Sequence, residues 1–183
     1  MTEEVIVINK LVYLTYSIID QAGKVFEQYD MPIGYVQGAN SGLFAKVERA
    51  LEGRKVGDRV EVSLDPADGF GAHDPNLSFT DDIENVPPEF RYVGAEIEFT
   101  NDKNESMKFW VSNIADGKLT ADANHQLAGQ TVTFVVNVLS IQDATPDEIA
   151  TGLPADAAND VGNDSSNESW TGSIKSLFSR LLP

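Results

Sequence analysis

Polar and apolar residues alternate with a period of two along residues 12–19. Val12, Leu14, Tyr16 and Ile18 share one side, Tyr13, Thr15 and Ser17 the other. This predicts a strand, because successive strand side chains face opposite ways. Residues 5–8 form a shorter β-branched run and are also expected to be extended. Asp20-Gln21-Ala22-Gly23 predicts a turn. Leu43, Phe44, Val47, Ala50 and Leu51 recur at helical spacing, which predicts a helix over 43–51, ended by Gly53. Lys55-Val56-Gly57-Asp58 is a second turn, and residues 59–64 alternate again as a strand.

The middle of the chain is patterned differently. Pro75, Pro87 and Pro88 interrupt it, and residues 96–100, 107–113 and 117–121 predict three short strands joined at Asn101-Asp102-Lys103-Asn104 and at Asp116-Gly117. Residues 130–141, QTVTFVVNVLSI, are apolar almost throughout. A strand of that kind needs cover on both faces, which places it at the centre of a sheet. Beyond it, residues 151–168 are small, polar and acidic and predict a flexible linker. In residues 169–183, Trp170, Ile174, Leu177, Phe178 and Leu181 fall on one side of a helical wheel, predicting an amphipathic helix. It suits a protein partner or self-association, or packing on its own domain. Two basic residues and the acidity of the chain argue against a membrane surface.

Composition removes several chemistries. Among 183 residues there are 29 Asp+Glu against 13 Lys+Arg, a formal net charge of −16, which argues against nucleic-acid binding. There is no cysteine, so thiolate zinc sites, disulfides and a Cys nucleophile are excluded. With two histidines, His73 and His125, no metal centre or cofactor is expected. Asp65, Asp68 and Asp74 lack the spacing of a calcium loop and predict solvated loop carboxylates. No phosphate-binding glycine loop, HExxH or GxSxG occurs. The acidic start, Met1-Thr2-Glu3-Glu4, is unlike a secretory signal, so the expected compartment is the cytoplasm.

Three blocks carry a resemblance: 50–58 (ALEGRKVGD), 65–77 (DPADGFGAHDPNL) and 122–134 (DANHQLAGQTVTF), continuing into Asp143-Ala-Thr. In order and separation they resemble an FKBP-type peptidyl-prolyl isomerase of the SlyD type over about residues 10–148. The resemblance implies an α+β fold, an FKBP-like antiparallel half-barrel wrapped on a short helix, formed by 1–74 with 123–150. It further implies an inserted β-rich lobe over 75–122, the insert-in-flap chaperone lobe, and as partners unfolded or proline-containing polypeptides.

Carried over by motif, the resemblance assigns Tyr16 as the pocket tyrosine of the first long strand, Phe26 as the aromatic of the next strand, and Glu27 at an acidic position where Asp is usual. Leu43 and Phe44 open the helix, with the Phe44 N–H meeting the substrate carbonyl, and Val47 forms the pocket floor. Phe70 stands where the family has tyrosine, and His125, Leu127 and Phe134 complete the set after the insert. An aromatic pocket of this kind, with few charges, suits rotation about X–Pro, which needs neither nucleophile nor metal. The departures are specific. Phe70 lacks the hydroxyl that bonds ligand, a loss of about 0.5–1.5 kcal/mol. Ala45-Lys46 replaces the usual Ser-Gly or Arg-Gly, and the loop 38–42 is one residue longer than usual in the family. The tail has no His or Cys, so a nickel-delivery role is not supported. The competing expectation is a holdase-type chaperone with weak or no isomerase activity.

Overall fold

The computed structural model describes residues 4–100, 104 and 106–158, without the side chains of Phe99, Thr100, Ala157 and Ala158. The expected amphipathic helix at 169–183 and the linker beyond residue 158 lie outside the described residues. The chain divides into two compact units, Met1–Gly71 with Gly129–Pro183, and Ala72–Ala128.

The first unit is built on a four-stranded antiparallel sheet in the order β2-β1-β8-β3. Strands β1 (Lys10–Ile19), β2 (Val25–Val36), β3 (Arg59–Leu64) and β8 (Val132–Asp143) make it up. On β1, Leu14, Tyr16 and Ile18 are buried and the residues between them are less so, as the alternation requires. Central β8 is apolar on both faces: Phe134 and Val136 are buried on one and Val135 on the other. Edge strand β2 contains Pro32, whose missing N–H falls where the β1–β2 register breaks between Leu14 and Tyr16. Helix α1 (Ala45–Leu51) is shorter than its apolar spacing implied, because Phe44 is its N-cap with extended ψ, and it buries Val47 and Leu51.

Two sequence expectations fail in this unit. Residues 5–8 are not a ladder strand. Val5 forms an isolated bridge with Lys55, and the chain turns at Asn9, whose φ of 67° is tolerated by an Asn side chain. Residues 151–158, expected to begin a linker, are folded. Helix α2 (Pro146–Thr151) starts on a capping box between Thr145 and Glu148, with Pro at its first position. Leu153 and Pro154 are buried after it, and α3 (Ala155–Ala158) follows.

The second unit is a four-stranded antiparallel sheet, β4-β7-β6-β5. Its strands are β4 (Ser78–Asp82), β5 (Glu96–Thr100), β6 (Ser106–Ala115) and β7 (Lys118–Asp122). Asp116 and Gly117, both with positive φ, join β6 to β7 in the tight turn that an Asp-Gly pair favours. A small core of Ala95, Ile97, Val111 and Leu119 is flanked by Ile83, Val86 and Phe90. The division falls at 71/72 and 128/129, so residues 72–74 and 123–128 belong to this unit. Hydrogen bonds explain that placement. Asp122 receives His73 Nε2 at 2.8 Å and the Asn124 N–H at 2.8 Å, and the Asp74 N–H reaches Asn124 Oδ1 at 2.8 Å. In the first unit the Gly129 N–H donates to the Gly71 carbonyl at 2.7 Å, joining the points where the chain leaves and re-enters that unit.

Candidate functional site

The antiparallel register determines which side chains of the first unit can meet. Tyr16 on β1 lies opposite Tyr29 on β2 and Val136 on β8, while Ile18 lies opposite Glu27 and Phe134. Directly opposed residues share a face, and large side chains reach the diagonal neighbour. Tyr16 therefore collects Tyr29, Glu27 and Phe134 around itself. Its ring stacks on Phe134 at 5.1 Å between centroids and on Tyr29 at 5.8 Å, with interplanar angles of 16° and 15°. Its hydroxyl donates to Glu27 Oε1 at 2.5 Å. Burial, reinforced by the Glu27 carboxylate, drives the Tyr16 phenol pKa far above its ordinary value, so it stays a neutral donor.

Phe44, entering α1, extends the cluster. It meets Phe134 edge-on at 5.8 Å and Phe70 edge-on at 5.5 Å, with interplanar angles of 73° and 72°. Five aromatic rings thus run in series from Phe70 through Phe44, Phe134 and Tyr16 to Tyr29. Each such pair contributes about 0.5–1.5 kcal/mol beyond its burial, which fixes ring orientations. Val47, one helical turn after Phe44, is fully buried, and Leu43 is half-buried. Phe44 also borders a groove of about 480 Å³ between the loop 39–45 and the segment 66–71. Among the groove's neighbours, Lys46 pairs with Asp68 at 3.2 Å.

Of the ten residues singled out from the sequence, the structure links Tyr16, Glu27, Phe44, Phe70 and Phe134 by direct contact. Phe26 sits at the bulge where Ile18 pairs with Glu27 but Ile19 with Val25, and it is 37% exposed. His125 and Leu127 belong to the second unit, where the Leu127 N–H donates to His125 Nδ1 at 3.1 Å. Burial lowers the His125 imidazole pKa, keeping it neutral near pH 7. Tyr29 was not foreseen, although its position two residues after Glu27 puts it on the same strand face. The three loop aspartates have separate partners: Asp65 accepts from Thr131 Oγ1, Asp68 pairs with Lys46, and Asp74 accepts from Asn76. No helix among the described residues is long and apolar enough to cross a membrane.

The buried aromatic series, with its single hydroxyl–carboxylate bond, lies on an antiparallel sheet beside a short helix and reaches a groove at Phe44. The chain is 32% identical over 151 residues to the FKBP-type peptidyl-prolyl cis-trans isomerase SlyD of Vibrio cholerae, covering 79% of this chain and 72% of that protein. The SlyD of Haemophilus influenzae is also 32% identical, over 79% of this chain and 76% of its own. That of Escherichia coli strain K12 is 29% identical, over 78% and 73%. The chain belongs to the SlyD-type FKBP peptidyl-prolyl cis-trans isomerases. No protein-family model matches it.

Proposed function

We propose that the first unit rotates X–Pro bonds at the Tyr16–Phe134–Phe44 cleft, and that the second unit holds unfolded polypeptides as an inserted chaperone lobe, the whole acting as a cytoplasmic folding helper. Support for the first half comes from the continuous aromatic series in a chain of this family. Rotation about X–Pro must break amide resonance, a barrier of about 18–20 kcal/mol. A dry cleft disfavours the charge-separated planar imide, and donors aimed at the twisted carbonyl stabilise the transition state. Here the proline ring lies among Tyr16, Phe44, Phe134 and Val47, with Leu43, Phe26 and Phe70 around it. By family resemblance the Phe44 N–H meets the substrate carbonyl. The Tyr16–Glu27 bond holds the central ring at a fixed tilt. The groove bordered by Phe44 is open to chain flanking the proline.

Support for the second half is the exposure of Phe79, Tyr92, Val93 and Met107 on a small sheet with a thin core. Apolar surface left open in this way suits non-native chains, which present apolar segments without fixed shape. Tethering such a chain raises its concentration near a cleft of modest affinity.

Refolding of a reduced, proline-limited protein in the presence of substoichiometric amounts of this chain tests the proposal. The refolding rate is expected to rise linearly with its concentration. The absence of hydroxyl on Phe70 favours a second reading, a holdase with weak isomerase activity. Suppressed aggregation with no acceleration of refolding would select it.

A further inference from the structure

A folded strap follows β8 and packs back on the first unit. The Glu148 carboxylate, 7% exposed, ties both ends of it. Its Oε2 accepts the Thr145 N–H at 2.8 Å and the Thr145 hydroxyl at 3.0 Å, and its Oε1 accepts the Ala155 N–H at 2.9 Å. These donors, the Thr145 N–H foremost, hold the carboxyl below the usual carboxylate range despite its burial. Between those ends lies Gly152, left-handed at φ 75°, its N–H donating to the Glu148 carbonyl at 2.7 Å and its carbonyl accepting the Val36 N–H at 3.1 Å. Nearby, Pro154 rests on β2. A Cβ at Gly34 would come within 2.6 Å of the Pro154 ring.

Gly152 also touches the loop that leads into α1. A Cβ at Gly152 would lie 2.7 Å from the carbonyl carbon and oxygen of Asn40 and 2.8 Å from the Ser41 nitrogen, all of them backbone atoms. Ser41 is buried, and its hydroxyl accepts the Leu43 N–H at 3.4 Å. Phe44 follows directly. The start of the same loop is anchored separately: Gln37 Nε2 donates to the Glu48 carbonyl at 3.2 Å, and the Gly38 N–H donates to Glu48 Oε1 at 2.5 Å. With its start fixed to α1, the loop rests at its middle on Gly152.

We propose that Gly152 is a positioning residue of the isomerase site: the strap 145–155 buttresses Asn40–Ser41 and thereby sets the place of Leu43 and Phe44. This rests on the reading of Phe44 as a site residue. A backbone donor displaced by a fraction of an ångström loses transition-state stabilisation more than ground-state binding, so the loss falls on kcat rather than KM.

The test compares Gly152→Ala with Gly57→Ala in the full chain. Gly57 also has positive φ, 89°, but nothing lies within 4 Å of its added Cβ, so it carries the backbone strain without the contact. Gly152→Ala is expected to lower kcat on a proline peptide roughly ten- to hundredfold with little change in KM, and to shift the Leu43 and Phe44 amide resonances. Gly57→Ala is expected to do neither. Unchanged kcat and resonances in Gly152→Ala, or equal losses in both variants, would overturn the proposal. If the unsubstituted chain shows no isomerase activity, the functional reading fails separately. The amide resonances then decide: their movement in Gly152→Ala alone sustains the buttress, and their constancy refutes it. Should Gly152→Ala not fold, Pro154→Ala removes the ring resting on Gly34 and is judged by the same two resonances.

Discussion

The two units differ in how far they expose their aromatic residues. In the first, Tyr16, Phe44, Phe70 and Phe134 are buried, and each ring is oriented by another. In the second, Phe109 is also buried and meets Phe79 edge-on at 5.7 Å, but Phe79 and Tyr92 themselves are 58% and 60% exposed. Burial with fixed ring geometry suits one shape of ligand, such as a proline ring in transit between two states. Exposure on a thin sheet suits many sequences weakly. Under the proposed function the first arrangement would serve a selective site and the second a permissive one, and the difference lies in packing rather than in aromatic content.

Substitutions should separate the two surfaces. The largest effect is expected from Phe134→Ala, which removes the ring shared by Tyr16 and Phe44. Unfolding in urea should show a loss of about 3–5 kcal/mol, and isomerase activity should vanish. Suppression of aggregation below the new melting temperature should persist; its loss would show that the surfaces are not separable. Next is the pair Phe79→Ser with Tyr92→Ser. Holding of an unfolded client should weaken by more than tenfold, with activity on a short proline peptide unchanged, since each exposed ring contributes roughly 1 kcal/mol or more to an apolar contact. A parallel fall in peptide turnover would break the division of labour.

Phe70→Tyr restores the hydroxyl usual in the family and is expected to raise kcat/KM by up to about tenfold, the equivalent of one hydrogen bond. A neutral or harmful result would mean that the cleft does not use that donor. The smallest effect is a pH dependence. Because burial lowers the His125 pKa, the unfolded chain takes up that proton first. The contribution of neutral His125 is complete above the ordinary value of 6.5 and is lost as pH falls through the lowered one. His125→Gln should flatten that part of the decline of melting temperature with acidification. An unchanged slope would show that His125 is not buried in solution.

The regular elements of the fold were legible wherever one residue pattern sufficed. Strand β3 was read to the residue, because Val60, Val62 and Leu64 alternate cleanly with exposed neighbours. Central β8 was legible from its apolar composition. Strand β4 was not, since SFTDD has no buried face and pairs only along one edge. The helix at 146–151 was signalled by Thr145-Pro-Asp-Glu148, a capping box, but from residue 151 the small acidic composition pointed to a linker where the chain is still folded.

The candidate site divides along the same line. Sequence by itself determined that the chain has no thiol chemistry and which face of β1 is buried; the first follows from residue identity and the second from a period of two. The aromatic positions of the proposed isomerase site were implied by the family resemblance alone. Tertiary structure decided that Tyr29 joins the stack, that the bulge leaves Phe26 partly exposed, that Leu153 and Pro154 are buried, and that Gly152 lies against Asn40. Periodicity tells which way a side chain faces. What it meets depends on register, bulges and contacts between segments more than a hundred residues apart, which no local pattern encodes.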